Sequence, residues 1–283
     1  MGRTRAAGAM VLGSIVSVQC GAALATGLFD SVGPHGAVFL RSAFGAAALL
    51  AMARRSLPQR SDWLSRDLLL FGLSLAGANF FFYASLDRLP LGVAVTLEFV
   101  GPLGVAIFGS RRRLDFLWVA LAAAGILLLS DGGGEGIDGL GAALALSAGA
   151  FWALYIVESA RVGSTHPGLG GLALAITISA FLVAPFGLAQ GGEDLLDPSI
   201  LAVGLAVGVL SSAVPYALEL EALRRLPTAV FGVLMSLEPA VAAAVGFLAL
   251  SQDLAAREVL AIGLVVCASA GALRSAGAPP PHD

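Results

Sequence analysis

Charged residues are scarce in this sequence. They make up 12% of its 283 residues, and lysine is absent, so that all sixteen basic residues are arginines. A soluble domain carries about 25% charged residues because water must wet its surface. Hydrophobic residues reach 58%, and the mean hydropathy is +0.89. These values exclude a water-soluble globule, and no stripe of basic residues points to nucleic acid.

Residues that bind metals or carry out catalysis are equally sparse. Cys20 and Cys267 both fall in apolar segments, where we expect small buried hydrophobes rather than a disulfide or a metal site. His35 and His166 lie in predicted loops without ligand-like neighbours, and no HExxH motif occurs. The sequence predicts no metal, no cofactor and no enzymatic activity.

Long apolar runs dominate what remains. A run of about 20 residues rises far enough as a helix to cross a hydrocarbon core of about 30 Å. Residues 8–28 imitate a secretory signal, but further hydrophobic segments follow, which favours an uncleaved first helix. We predict an all-α membrane protein with ten transmembrane helices, near residues 8–28, 36–53, 67–86, 91–109, 114–130, 139–157, 168–189, 199–218, 228–249 and 258–273.

The arginines predict how these spans are oriented. Cytoplasmic loops of membrane proteins retain positive charge. With the N-terminus inside, thirteen of the sixteen arginines fall on the cytoplasmic side, while Arg88 and Arg257 lie outside and Arg41 lies within span two. This alternation predicts a multi-pass protein of the cytoplasmic (inner) membrane with both termini in the cytoplasm.

The two halves of the chain share a motif. Arg88-Leu89-Pro90 and Arg225-Leu226-Pro227 are 137 residues apart, and Pro102 and Pro239 each follow twelve residues after the first proline. Because each half holds five spans, an odd number, the second half must be inverted relative to the first, as in many transporters. We therefore predict two inverted five-helix repeats and a short cytoplasmic tail, with bounds at 1–135, 136–274 and 275–283.

Four ionisable residues lie within the predicted spans. An ionisable side chain in hydrocarbon costs about 2.5–3.5 kcal/mol, so each is a functional candidate. Glu98 and Glu238 occupy equivalent places in the repeats, close to a proline that frees a backbone carbonyl. They either handle substrate or protons, or serve a structural role by pairing at a kink or with Arg41. Glu219 is expected near the inner boundary, in a structural role.

Neutral polar and aromatic residues accompany these charges. Asn79 and Tyr83 share a face of span three, and Gln19 lies at a similar depth in span one. Each amide either contacts a substrate or makes a packing hydrogen bond. Aromatic residues at such depths serve as membrane anchors or as substrate contacts, and the candidates here are Trp152, Tyr155 and Tyr216.

Several motifs resemble a known family. Leu97-Glu98-Phe99-Val100-Gly101-Pro102-Leu103 and Met235-Ser236-Leu237-Glu238-Pro239-Ala240, together with the segments 79–83, 110–112 and 115–118, resemble the threonine/homoserine exporter branch of the drug/metabolite transporter superfamily, whose members carry two EamA domains. The resemblance covers nearly the whole chain. It implies ten helices in inverted repeats, a central cavity, and export of small neutral amino acids, with proton antiport.

The leading hypothesis is thus a secondary transporter in the lipid bilayer with a small-molecule substrate. An exporter of drugs, nucleobases or other metabolites would share this fold. A channel would need a continuous polar stripe, and a non-transport scaffold or membrane enzyme is the alternative of another class. Substrate identity, coupling ion and oligomeric state stay open.

Overall fold

A computed structural model describes residues 2–108, 114–130, 138–166, 168–223, 225–226 and 228–276. The predicted boundary between the repeats at 135/136, and most of the predicted tail 275–283, lie outside these ranges. The helices are α1 (Gly2–Thr26), α2 (Phe29–Ala53), α3 (Arg66–Leu86), α4 (Leu91–Glu98), α5 (Val100–Phe108), α6 (Leu114–Ser130), α7 (Gly139–Thr165), α8 (Gly170–Gly191), α9 (Pro198–Gly208), α10 (Val214–Leu223), α11 (Thr228–Met235), α12 (Glu238–Leu250) and α13 (Ala256–Ala276). Short 3₁₀ turns occur at Arg60–Asp62 and Gly192–Leu196.

The described ranges contain seven helical segments long and apolar enough to span a membrane, and two shorter apolar helices at Leu91–Val105 and Leu117–Ile126. Large apolar side chains within the helices, such as Phe181 and Leu248, face outwards and are at least three-quarters exposed. Lipid tails solvate such a surface, whereas water does not. The protein is therefore an all-α, multi-pass membrane protein.

Small residues allow the helices to pack closely. Between lipid-embedded helices there is little hydrophobic driving force, so close approach and dispersion contacts hold the bundle together. A Cβ atom on Gly92 of α4 would lie 2.7 Å from the Cα atom of Ala243 on α12. Helix α2 packs along α8, α3 along α7, α6 along α13, and α1 along α10.

Two helix bounds differ from the predicted spans for identifiable reasons. Helix α2 begins at Phe29, seven residues before the predicted start, because a short helical stretch precedes a kink at Gly33, where the backbone is not helical (φ 68°, ψ 170°). Helix α7 continues to Thr165 instead of ending at 157. Charged residues such as Glu158 and Arg161 end an apolar run but do not end a helix, which here stops just before Pro167.

Two acidic residues of the predicted outer loops cap helices. Asp138 accepts a hydrogen bond from the backbone N–H of Gly141 at the start of α7, which lowers the pKa of its carboxyl group. The side chain and backbone of Ser199 likewise donate to Asp197 and lower its pKa. These carboxylates therefore stay ionised at neutral pH. Their negative charges also interact favourably with the positive, N-terminal end of the helix dipole.

The bend in α2 yields a testable prediction. Gly33 has φ 68°, and a Cβ atom there would overlap the Gln190 side chain, which also accepts a hydrogen bond from the backbone N–H of His35 at 2.8 Å. We expect Gly33→Ala to destabilise the protein by about 1–3 kcal/mol from backbone strain alone, because φ 68° with ψ 170° is a conformation that essentially only glycine adopts. Thermal unfolding in detergent measures this. Gly163→Ala is the control, since a Cβ atom there meets nothing within 4 Å; equal melting temperatures for the two variants would contradict the prediction.

Candidate functional site

Two of the predicted spans are broken at the predicted glutamates. The fourth span divides into α4 and α5 at Phe99, immediately after Glu98, and the ninth divides into α11 and α12 immediately before Glu238. Pro102 cannot donate a backbone hydrogen bond to the carbonyl of Glu98, and Pro239 cannot donate to that of Met235. Backbone polar groups inside a bilayer are tolerated without helical partners only where protein or a cavity surrounds them.

A cavity of about 530 Å³ lies beside both breaks. This volume is within the range of about 300–1,000 Å³ that is usual for small-molecule sites. Side chains from α1, α2, α3, α7 and α10 line it together with the two broken helices and α13. The structure brings all nine sequence-predicted site residues to this one cavity wall: Gln19, Arg41, Asn79, Tyr83, Glu98, Trp152, Tyr155, Tyr216 and Glu238.

Gln19 and Glu238 form a polar contact between α1 and α12. The side-chain amide of Gln19 donates to Oε1 of Glu238 at 3.1 Å, and both residues are almost fully buried. Within the described ranges, Oε2 of Glu238 and Oε1 of Gln19 have no hydrogen-bond partner. A buried polar atom without a partner costs about 1–3 kcal/mol, so this pair is poised to accept a further donor.

Arg41 supplies positive charge to the same cavity. Pro215 has no N–H to offer the carbonyl of Ser211, and Nη2 of Arg41 donates to that carbonyl at 3.2 Å. The guanidinium also lies 5.7 Å from the centre of the Tyr83 ring, within the range of a cation–π interaction. It interacts electrostatically with Glu98, but no ion pair joins Arg41 to a carboxylate among the described residues. Its charge therefore remains available to a ligand.

Aromatic rings give the cavity apolar walls. Trp152 packs edge-on against Phe99, the residue at the break in the fourth span, with centroids 5.2 Å apart. Tyr155 packs against Phe71 at 5.4 Å. Asn79 donates to the carbonyl of Leu75 on its own helix at 2.8 Å, so its side-chain hydrogen bond does not join two helices. The wall thus combines polar groups with rigid aromatic surfaces.

The structure adds residues to the predicted site. Glu219, expected in a structural role near the inner boundary, lines the cavity and accepts a hydrogen bond from the hydroxyl of Ser14 at 2.5 Å. Ser211 lies in a π-helical turn at Val209–Ala213, just before Pro215, and π turns often occur at functional sites. In the sequence, the pattern that could have indicated Ser211 is the Ser-Ser pair that begins four residues before Pro215. Ser14 is separated from Glu219 by 205 residues and has no such signal.

Comparisons with known proteins identify related sequences and a shared fold. The model of the "EamA-like transporter family" matches residues 139–274. A protein of Salmonella typhimurium strain SL1344, named "Threonine/homoserine exporter RhtA", is 46% identical over 93% of this chain and 89% of its own length. The protein of the same name from Escherichia coli strain K12 is 45% identical with the same coverage. A solved crystal structure shares the fold over 94% of this chain and 96% of its own, with 19% identity and a TM-score of 0.65.

Proposed function

The chain belongs to the EamA-like transporter family, and from that premise we propose that it exports small neutral amino acids of the threonine and homoserine type across the inner membrane. The observation that carries the proposal is the pairing, on one cavity wall, of a guanidinium without a carboxylate partner and a group of carboxyl side chains. A zwitterion carries both complementary charges. The chain is a transporter, as its relatives are, and not an enzyme.

Arg41 and Glu98 are the proposed partners of the two charged ends of the substrate. A guanidinium binds a carboxylate through two parallel N–H groups, which fits the α-carboxylate of an amino acid. The Glu98 carboxylate would accept from the α-ammonium group. Gln19, Asn79 and Tyr83 then offer donors and acceptors to a side-chain hydroxyl, while Trp152, Tyr155 and Tyr216 confine the short carbon chain. A site divided in this way would select a substrate that is small and neutral overall.

Alternating access between two inverted halves is the proposed transport cycle, with ten spans divided at residues 1–135 and 136–274. The helix contacts support it: α2 packs on α8 and α6 packs on α13, and in each pair the two helices occupy equivalent places in the two halves. The family model also matches one half alone. The arginine distribution supports cytoplasmic placement of both termini.

Proton antiport is the proposed source of energy. Glu98, Glu238 and Glu219 line a cavity whose wall, within the described ranges, holds a single arginine. Ionising all three carboxyl groups side by side in a low-dielectric site would be costly. Protonating one of them costs less free energy than keeping it as an unpaired carboxylate. Release of that proton when substrate binds would couple the two movements.

Efflux from cells tests the proposal. We expect cells that express the protein to release labelled threonine or homoserine faster than cells with an empty vector. Replacing Glu98 or Glu238 with glutamine should reduce this release by at least about tenfold, since a charged hydrogen bond contributes about 1.5–3 kcal/mol. Glu193→Gln, at an exposed outer position, is the matched control and should export normally.

Three results would each contradict a part of the proposal. If both cavity variants insert normally and export at the wild-type rate, Glu98 and Glu238 do not have the proposed roles. If the wild type releases neither amino acid but does release drugs or nucleobases in the same assay, the fold serves a different substrate class. Efflux by purified, reconstituted protein that is indifferent to an imposed pH gradient would contradict proton coupling.

A further inference from the structure

Four glutamates among the described residues are held in two different ways. Glu158 pairs with Arg161 at 2.8 Å on α7, and Glu221 pairs with Arg225 beyond the end of α10. In each pair a guanidinium supplies the opposite charge to the carboxylate. Glu219 and Glu238, by contrast, are hydrogen-bonded to neutral side chains on α1, from Ser14 and Gln19, and line the cavity.

The partner of Glu219 suits a carboxyl group that changes its protonation state. A hydroxyl group can donate a hydrogen bond and can also accept one. Ser14, which is fully buried, can therefore donate to the ionised carboxylate and accept from the protonated acid without moving. The contact survives both states, which an arginine partner would not permit.

Among the described residues, Arg41 on α2 is the one cation that lines the same cavity as Glu219, and no ion pair joins the two. On α10 the neighbour of Glu219 is Tyr216, Tyr155 faces it from α7, and Glu238 acts on it electrostatically from α12. Among the described residues, none of the ion pairs involves Glu219. A proton is thus the available means of neutralising it.

Glu219 also lies towards one side of the membrane relative to Glu238. Ser14 is five residues nearer the N-terminus of α1 than Gln19, or about 7.5 Å along the helix axis. Glu219 is six residues before Arg225. Arg225 lies in the loop after α10, which the arginine distribution predicts to be cytoplasmic. The two contacts therefore form successive levels along α1, with Glu219 on the cytoplasmic side.

We propose that Glu219 is the proton-exit residue of the transport cycle, which passes protons from the cavity to the cytoplasm. The proposal rests on the function proposed above and deepens it. Protonated Glu238 gives its proton, through cavity water, to ionised Glu219, which then releases it to cytoplasmic water. One carboxylic acid is lost and one formed in the first step, and the second returns Glu219 to its carboxylate. Glu219 is a coupling residue and does not contact the substrate.

Two transport modes in proteoliposomes separate coupling from binding. Net transport driven by a pH gradient needs proton release in every cycle, whereas exchange of labelled for unlabelled threonine moves only the substrate-bound, deprotonated protein and needs no proton transfer. We expect Glu219→Gln to lose about 100-fold in net transport, the scale at which a proton-transfer group contributes, while threonine exchange stays near the wild-type rate. Glu221→Gln, two residues away and paired with an exposed arginine, should change neither mode.

A second measurement does not depend on the substrate. Infrared titration of purified protein detects the carbonyl stretch of protonated carboxyl groups, and Glu219→Gln should remove one pH-dependent band from that region. Ser14→Ala should shift the midpoint of the same band. Wild-type net transport by Glu219→Gln, equal loss of both modes, or an unchanged infrared titration would each overturn the assignment. Absence of threonine transport by the wild type would instead overturn the proposed function and leave the infrared result to decide on Glu219.

Discussion

Arg41→Ala is expected to abolish recognition of the substrate carboxylate. Truncating one partner of a buried, hydrogen-bonded charge pair costs about 2–5 kcal/mol, so threonine binding should weaken by about 100-fold. Nη2 of Arg41 is anchored by the carbonyl of Ser211, and the ring of Tyr83 supports the guanidinium. The side chain is therefore held in place before the substrate arrives. Its removal should cost the full binding free energy of the interaction between the guanidinium and the carboxylate. Equilibrium binding of labelled threonine to purified protein measures the effect.

A ligand without the carboxylate provides the control for this variant. 1-Amino-2-propanol keeps the ammonium and hydroxyl groups of threonine but has nothing for Arg41 to bind. Its affinity should not fall in Arg41→Ala, because removing a positive charge from the cavity only favours this cationic ligand, so the two ligands should converge in the variant. Arg41→Lys should fall between the two proteins because lysine keeps the charge but lacks the planar fork. A parallel loss of affinity for both ligands would show that Arg41 supports the fold and does not bind the carboxylate.

Gly101→Ala is the second variant with a large expected effect. A Cβ atom on Gly101 would overlap the backbone carbonyl of Gly149, and one on Gly149 would lie 2.5 Å from the carbonyl oxygen of Glu98. Backbone atoms cannot rotate away, so α5 must move from α7 and carry the broken segment with it. We expect transport to fall by about 100-fold, as displacements of about 1 Å cause in a pre-organised site.

Gly104→Ala is matched to this variant on the same helix. It lies three residues further along α5, where a Cβ atom meets nothing within 4 Å. Transport by this control should be unchanged, and both proteins should insert, since overpacking costs only about 1–3 kcal/mol. Similar transport by the two alanine variants would mean that the close contact between α5 and α7 does not position Glu98.

Much of the membrane architecture follows from local sequence features. Apolar runs bounded by arginines predict transmembrane helices. Hydrocarbon solvates neither a charge nor a backbone N–H or C=O group without a hydrogen-bond partner, and a helix pairs these backbone groups internally. The prolines near Glu98 and Glu238 also predicted where helical hydrogen bonds would be lost. The structure breaks both helices beside those glutamates, although the sequence alone did not indicate that each span would become two helices. The ten-span count stays a prediction.

The composition of the cavity was partly predictable for the same reason. A polar side chain in hydrocarbon needs a partner or a ligand, so polar residues at midplane depth converge on the interior of the bundle. The nine predicted residues accordingly line one cavity. What they do there was not predictable, because each amide or carboxyl group could equally serve packing. Their roles remain proposals that the variants described above test.

Partnerships between distant segments were beyond the reach of sequence patterns. Ser14 meets Glu219, and Arg41 meets the carbonyl of Ser211, across 205 and 170 residues respectively. No periodicity relates such positions, and they become neighbours only after the helices pack. From the sequence, Glu219 was therefore predicted to lie at the inner membrane boundary, near water. In the structure, α1 packs against α10 and Glu219 is part of the cavity wall.

Protection of a single cysteine tests most directly whether the cavity is the amino-acid site. In a variant with Cys20 and Cys267 replaced, Ser159→Cys places a thiol on the cavity wall, and Ser164→Cys places one at an exposed position on the same helix. The proposed site predicts that threonine slows maleimide labelling at residue 159, in proportion to the occupied fraction, and leaves labelling at residue 164 unchanged. Labelling at residue 159 that is indifferent to saturating threonine, in protein that transports threonine, would contradict the assignment of the site to this cavity.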